Sequence, residues 1–275
     1  MSTLTSQVDR ADLDAETAFY RHVLQTIDAS GIPVLVGGAY AMAIHTGVER
    51  RTKDLDVFLR PADYGRAADV LAAAGYVTDL KFPHWLGKVL HESWCVDLIF
   101  NSGNGLTRVD DAWFEHATDG EVLGLAARIV PVEEIIWSKA FIMERERYDG
   151  ADVAHLLRAR AAELDWPRLM DRMAGHGRVL LAHLVLFGYI YPSRRALIPR
   201  WVLTRLLDHL HEEIHAPPPP GALCRGTLLS REQYLHDVHE EGYVDGRLRP
   251  NGSMSAEQIA VWTDAIAEDG SDTGS

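Results

Sequence analysis

Val34-Leu35-Val36-Gly37-Gly38-Ala39, followed by Arg51-Thr52-Lys53-Asp54-Leu55-Asp56-Val57-Phe58, decides the fold of this chain. An apolar strand ends in two glycines, a short helical segment covers Gly38 to His45, and a second apolar strand carries aspartates at alternate positions. Strand side chains alternate faces, so Asp54 and Asp56 point one way while Leu55 and Val57 point into the core. Two neighbouring carboxylates on a buried strand repel each other and lose hydration. A divalent cation removes that penalty. Glycines at a strand-to-helix turn let backbone N–H groups meet a phosphate. The stretch reads as a metal-and-nucleotide site.

Upstream, Asp14 to Ser30 has the period of an amphipathic helix, with Phe19, Val23, Leu24 and Ile27 on one side. Residues 1–10 are polar and expected to fray, and Gly31-Ile32-Pro33 breaks the helix. Downstream, the second strand runs from Leu55 to Leu59. Pro61 and Asp63 then open a helix that reaches Ala74 and stops at Gly75. Val89-Leu90 and Trp94 to Phe100 form a hairpin turned at His91-Glu92-Ser93, and a further strand covers Ala127 to Val130. After Pro131 the period becomes helical: Glu133 to Met143, Gly150 to Arg160, a helix opening at Asp165-Trp166-Pro167, Arg178 to Tyr189, and Pro199 to Glu213. Pro217 to Pro220 ends that half, residues 221–262 are short mixed segments, and Asp269 to Ser275 is a polar tail unable to build a core. The expected class is α/β (α+β): a mixed sheet flanked by helices, followed by a helical C-terminal half. Three divisions are expected, at 1–130, 131–216 and 217–275.

The bulk numbers fit a globular chain. It has 275 residues, 47% hydrophobic and 24% charged, with a formal net charge of -13. That acidity argues against an extended nucleic-acid surface, which needs clustered Lys and Arg. The two cysteines, Cys95 and Cys224, make no disulfide framework, so a reducing cytoplasm is expected. No basic-then-apolar start is seen over Met1 to Ser6, and no apolar run approaches the roughly 20 residues of a membrane span.

The third acid matters most. Asp97 sits mid-strand in Val96-Asp97-Leu98-Ile99-Phe100, and an aspartate in an apolar strand needs a partner. If that strand lies beside the first two acids, the three carboxylates converge. Hard oxygen ligands of this kind suit Mg²⁺ or Mn²⁺, and two such ions can clamp the attacking and leaving oxygens of a phosphoryl or nucleotidyl transfer. The plain alternative is that Asp97 pairs with a nearby Arg or Lys.

Val36-Gly37-Gly38-Ala39, Arg51-Thr52-Lys53-Asp54-Leu55-Asp56-Val57-Phe58 and Val96-Asp97-Leu98-Ile99 resemble the polymerase-beta-type nucleotidyltransferase superfamily, closest to its minimal and abortive-infection toxin-like branches. The resemblance implies that Asp54 and Asp56 hold both metals, and that Asp97 holds the catalytic metal and helps deprotonate the acceptor hydroxyl. The second glycine of the family pair is often a serine that touches phosphate. Gly38 leaves only backbone contacts there. The likeness continues through Val132-Glu133-Glu134-Ile135-Ile136-Trp137-Ser138-Lys139-Ala140 and Arg147-Tyr148-Asp149-Gly150-Ala151-Asp152, and spans roughly residues 31–160. In the toxin-like branch a lysine and an Asp-x-x-Asp line the nucleotide site, which here implies Lys139, Asp149 and Asp152. A helix cap and a salt bridge to Arg145 or Arg147 serve equally well for the two acids. Arg51, with Arg50, is a candidate triphosphate contact. Tyr40 and His45 are assigned to core packing.

The function expected from this resemblance is metal-dependent transfer of an NMP from an NTP such as ATP to an acceptor hydroxyl, with release of pyrophosphate. Residues 1–130 would be the catalytic domain, 131–216 would complete the nucleotide cleft, and 217–275 would be an extension. A tRNA end, a protein hydroxyl and a small molecule such as an aminoglycoside all stay open as acceptors, and the toxin-like branch adds an antitoxin partner. Two other readings compete. One is a non-catalytic nucleotide-binding module of the same fold. The other is a zinc hydrolase, because His211-Glu212-Glu213-Ile214-His215 fits H-E-x-x-H, with His236, His239 or Glu240 as third ligand. Against it, Ala216 and four prolines follow at once, so His215 stands where its helix ends. Cys224 to Ser230, with Gln233-Tyr234, has no assigned mechanism.

Overall fold

The computed structural model describes residues 2–269. The chain divides into two units. The first comprises the chain up to Asn101 together with Arg108–Pro131. The second comprises Ser102–Thr107 and the chain from Val132 onward.

The first unit is a seven-stranded mixed sheet with helices. Its elements are α1 (Ser2–Ala29), β1 (Leu35–Val36), α2 (Gly38–Thr46), β2 (Asp54–Phe58), α3 (Tyr64–Ala73), β3 (Val77–Phe82), β4 (Leu86–His91), β5 (Trp94–Ile99), α4 (Asp111–Glu115), β6 (Thr118–Val122) and β7 (Leu125–Ile129). The strand order is β3-β4-β5-β2-β1-β7-β6. β2 pairs antiparallel with β1 and parallel with β5, while β4 and β5 form the expected antiparallel hairpin. The first helix starts at Ser2 rather than near Asp14, so residues 2–10 are helical rather than frayed. Its apolar stripe behaves as its period demands: Phe19, Val23, Leu24 and Ile27 are all buried. Two strands were not expected from the sequence, β3 and β6. Exposed Val77, Asp79 and Leu80 blur the alternation of β3, and Asp119-Gly120-Glu121 hides that of β6.

The second unit carries α5 (Val132–Lys139), α6 (Gly150–Arg160), α7 (Trp166–Arg172), α8 (Gly177–Ile190), α9 (Arg200–His215), β8 (Leu223–Cys224), α10 (Leu235–His239), β9 (Val244–Asp245) and α11 (Ala256–Asp269). Asp165 caps α7 as expected, accepting from the Arg168 amide at 3.0 Å. The helix expected to reach Met143 ends at Lys139. Met143 instead bridges Tyr148 across a tight turn in which the Glu144 amide donates to the Arg147 carbonyl at 2.8 Å. α5 and α7 are held by charge. Arg168 reaches Glu133 and Glu134, and Arg172 reaches Glu134 at 3.2 Å. Glu134 is fully buried, and burial raises its pKa against the pull of both arginines. The Cys224 to Ser230 segment is structural. Thr227 donates to Asp245 at 2.8 Å, and Asp245 also holds the completely buried Arg247 at 2.6 Å.

Among the described residues, no helix is long and apolar enough to cross a membrane. The tail expected from Asp269 lies, beyond that residue, outside the described residues.

Candidate active site

The site is built by strand register. β5 lies beside β2, with Asp56 directly opposite Asp97 and Asp54 opposite Cys95. Residues paired across a sheet share a face. Asp54, Asp56 and Asp97 therefore lie on one face, while Leu55, Val57, Val96 and Leu98 are buried on the other. Burying four branched apolar side chains fixes this register. A slip by one residue would turn all four outward and drive the acids into the core.

The double glycine is tied to the same strand. The Gly37 amide donates to the Asp56 carbonyl at 2.9 Å. Gly38 has φ +52, in the left-handed region that favours glycine. A Cβ there would stand 2.7 Å from Asp56 Cγ and closer still to its Oδ2. At Gly37 a Cβ would run into the ring of Phe58. Neither position admits a side chain, so a serine at 38 would displace Asp56. Gly37 is the N-terminal boundary of α2 and offers no side-chain cap, which leaves the first-turn N–H groups of the helix without one.

Each acid has its own surroundings. Thr52 donates to Asp54 Oδ1 at 2.8 Å. Asp97 Oδ1 accepts from Lys88 Nζ at 2.7 Å and from the Cys95 thiol at 3.2 Å. Burial pulls the Lys88 ammonium down, but the hydrogen bond and charge of Asp97 outweigh this and hold its pKa above the ordinary lysine value. Burial, then the Asp97 charge, pushes the Cys95 thiol up to about 12, so it stays protonated. The Asp97–Lys88 pair realises the plain alternative for that acid. The donor set is all hard oxygen and fits Mg²⁺ or Mn²⁺ in type. Yet among the described residues no three His, Cys, Asp or Glu side chains are placed to hold an ion.

Other expected residues fall as follows. Arg51 is exposed just before β2. His45 is buried with Nε2 2.8 Å from the Val130 carbonyl, a packing role as expected. Tyr40 is half-buried, and burial raises its pKa. In the second unit Lys139 Nζ bridges Asp149 at 2.7 Å and Asp152 at 2.8 Å, so these three do come together. Arg147 also reaches Asp149, at 3.1 Å, whereas Arg145 pairs with Glu146. Asp149 stands at the N-cap of α6 but makes no side-chain capping bond. Burial opposes its ionisation, and Arg147 and Lys139 together hold its pKa below the ordinary carboxylate value. His211 and His215 are exposed at the end of α9, His215 Nδ1 lies 2.8 Å from the His211 carbonyl, and Glu213 pairs with Arg178. The H-E-x-x-H pattern thus has neither burial nor, among the described residues, a third ligand.

Two contributors were missed in the sequence: Lys88 and Cys95. The signal was countable. With Glu92-Ser93 as the two-residue turn, His91 faces Trp94 and Lys88 faces Asp97.

A family model described as uncharacterised nucleotidyltransferase matches residues 14–187. The match covers more than half of the chain, including the Gly37-Gly38 turn and the Asp54, Asp56 and Asp97 strands, and the chain belongs to this family of nucleotidyltransferase enzymes. The match distinguishes no toxin-like branch. No curated protein matches the chain. Among solved structures, the antibiotic-resistance factor ANT(2'')-Ia is similar over 73% of this chain and 98% of its own, at 15% identity and a TM-score of 0.40. The lincosamide antibiotic adenylyltransferase LnuA, solved with lincomycin, is similar over 51% and 94%, at 14% identity and a TM-score of 0.37. An antigenic nucleotidyltransferase-like protein from Paracoccidioides brasiliensis is similar over 67% and 92%, at 13% identity and a TM-score of 0.43.

Proposed function

We propose that the protein moves a nucleoside monophosphate from an NTP to an acceptor hydroxyl and releases pyrophosphate, with Mg²⁺ or Mn²⁺ held by Asp54, Asp56 and Asp97. The observation that carries this is the register of Asp56 against Asp97 on the face that also bears Asp54, beside the Gly37-Gly38 turn. Once bound, a divalent cation supplies charge neutralisation at the transferring phosphate. The Gly37 N–H is taken by the Asp56 carbonyl, so Gly37 serves by close backbone approach while the Gly38 N–H at the start of α2 approaches phosphate, and Arg51 adds a positive charge. Asp97 takes the proton of the acceptor hydroxyl. Positioning and electrostatic preorganisation provide most of the rate. Lys139, Asp149 and Asp152 are assigned to the nucleotide on the resemblance alone. The free thiols Cys95 and Cys224 suit a reducing compartment.

The test is incubation of the purified chain with labelled NTPs, Mg²⁺ and panels of tRNA, protein and small-molecule acceptors. Metal-dependent NMP transfer that disappears in Asp54→Asn is expected. Transfer that survives Asp54→Asn refutes the assigned roles. One observation favours a non-catalytic nucleotide-binding module: Asp97 is already neutralised by Lys88. Stoichiometric nucleotide binding with no transfer to any acceptor class would select it.

A further inference from the structure

Four charged residues stand in register across the sheet. Asp79 on β3 pairs with Lys88 on β4, Lys88 with Asp97 on β5, and Asp97 with Asp56 on β2. All four share a face, and the signs run minus, plus, minus, minus. Two adjacent carboxylates at the Asp97–Asp56 step are costly without a cation. The chain supplies one from within. The Lys88 ammonium lies 2.7 Å from Asp97 Oδ1, with its side chain 30% exposed and that of Asp97 13% exposed. It also lies 3.6 Å from Cys95 Sγ, and the Cys95 thiol donates to the same Asp97 oxygen. Both contacts use Oδ1. A lysine ammonium on a flexible stem is a cation that can leave, unlike a planar guanidinium locked in two bonds.

We propose that Lys88 is a built-in counter-cation that occupies the charge position of the divalent ion at Asp97, and that metal loading displaces it. This rests on the metal-site reading of Asp54, Asp56 and Asp97. Lys88 and the ion compete for one carboxylate, so the free chain binds divalent metal weakly. Displacement turns a neutral ion pair into an ammonium released on the face where the triphosphate is proposed to bind. Metal loading and phosphate binding then support each other. Lys88 thus acts through Asp97 as a positioning residue, and its loss changes metal affinity in the direction opposite to the loss of a phosphate-binding lysine.

The experiment uses the full chain without nucleotide and Mn²⁺ as the probe, with binding read by electron paramagnetic resonance. Lys88→Met is expected to bind Mn²⁺ on the order of tenfold tighter than wild type, because the competing charge is gone. Lys88→Arg is expected to bind no tighter than wild type. Lys88→Gln removes the charge but keeps a donor to Asp97. It carries the same expectation as Lys88→Met and covers the case in which the methionine variant fails to fold. As a second readout, acylation of Lys88 in the wild type, followed by mass spectrometry, should rise on addition of Mn²⁺. Unchanged or weaker Mn²⁺ binding in Lys88→Gln overturns the inference while leaving the metal site intact, provided that Asp56→Asn abolishes binding. Absence of Mn²⁺ binding in wild type and in every Lys88 variant overturns the metal-site reading, and this inference with it.

Discussion

Gly38→Ala puts a side chain where the Asp56 carboxylate already stands. Two costs add. An L-residue at φ +52 costs about 1–2 kcal/mol. The new methyl would lie 2.7 Å from Asp56 Cγ and 3.0 Å from its Cβ, so rotation of the carboxylate alone does not relieve it. Forcing that side chain off its rotamer adds about 0.5–1.5 kcal/mol. The sum is about 1.5–3.5 kcal/mol, or roughly 3–14 °C in Tm for a chain of this size. Gly47 is the internal control: it too is left-handed, at φ +70, but a Cβ there meets nothing within 4 Å. Gly47→Ala should therefore cost only the backbone part, about 1–2 kcal/mol. Urea unfolding of both variants, and of each combined with Asp56→Ala, separates the terms. Coupling of about 1 kcal/mol is expected between Gly38→Ala and Asp56→Ala, and none between Gly47→Ala and Asp56→Ala. If Gly38→Ala costs no more than Gly47→Ala, the packing of Asp56 against the glycine turn is refuted.

Three further outcomes follow from the second unit. Arg168→Leu leaves Glu133 without its guanidinium and fully buried Glu134 with Arg172 alone, so a loss of about 3–5 kcal/mol is expected in urea unfolding. Arg178→Leu breaks an exposed pair with Glu213 and should cost under about 0.5 kcal/mol. His183 is buried with a ring nitrogen 2.9 Å from the Ala140 carbonyl, and burial, only partly opposed by that bond, holds its pKa below the ordinary value. The unfolded chain therefore binds the extra proton first. Stability should fall as pH drops through about 6.5 and level off below the folded-state pKa. His183→Gln should flatten that slope between pH 7 and 5, and an unchanged slope would remove His183 as its source.

Much of the fold was legible because it rests on local signals. The Gly37-Gly38 break, the period-two runs around Asp54 to Phe58 and Trp94 to Ile99, and the Asp165 cap all survive in the structure within a residue or two. α6 is found over Gly150–Arg160 as its period indicates. What failed had weak or contradictory local signals. β3, with apolar Val77 and Leu80 exposed, and the polar β6 are strands stabilised by pairing with a neighbour, and pairing leaves no trace in a single strand's alternation. The helix over 133–143 was overrun because Ile142 and Met143 are apolar at helical spacing, while the Met143–Tyr148 bridge competes for their backbone.

By itself the sequence determined which residue types face which way along each strand. Alternation requires only the geometry of one strand, and it put Asp54 and Asp56 together; for Asp97, in a nearly continuous apolar run, it gave only the need for a partner. It also marked the double glycine at a strand-to-helix turn. Only the tertiary structure decided what those acids meet. The parallel pairing of β2 with β5 set Asp56 against Asp97, the hairpin partner set Lys88 against Asp97, and the Asp56 carboxylate took the space over Gly38. Those are contacts between residues distant in the chain. Burial of the opposite sheet face selects the register, and register alone determines whether an aspartate meets a second acid, a lysine or the core.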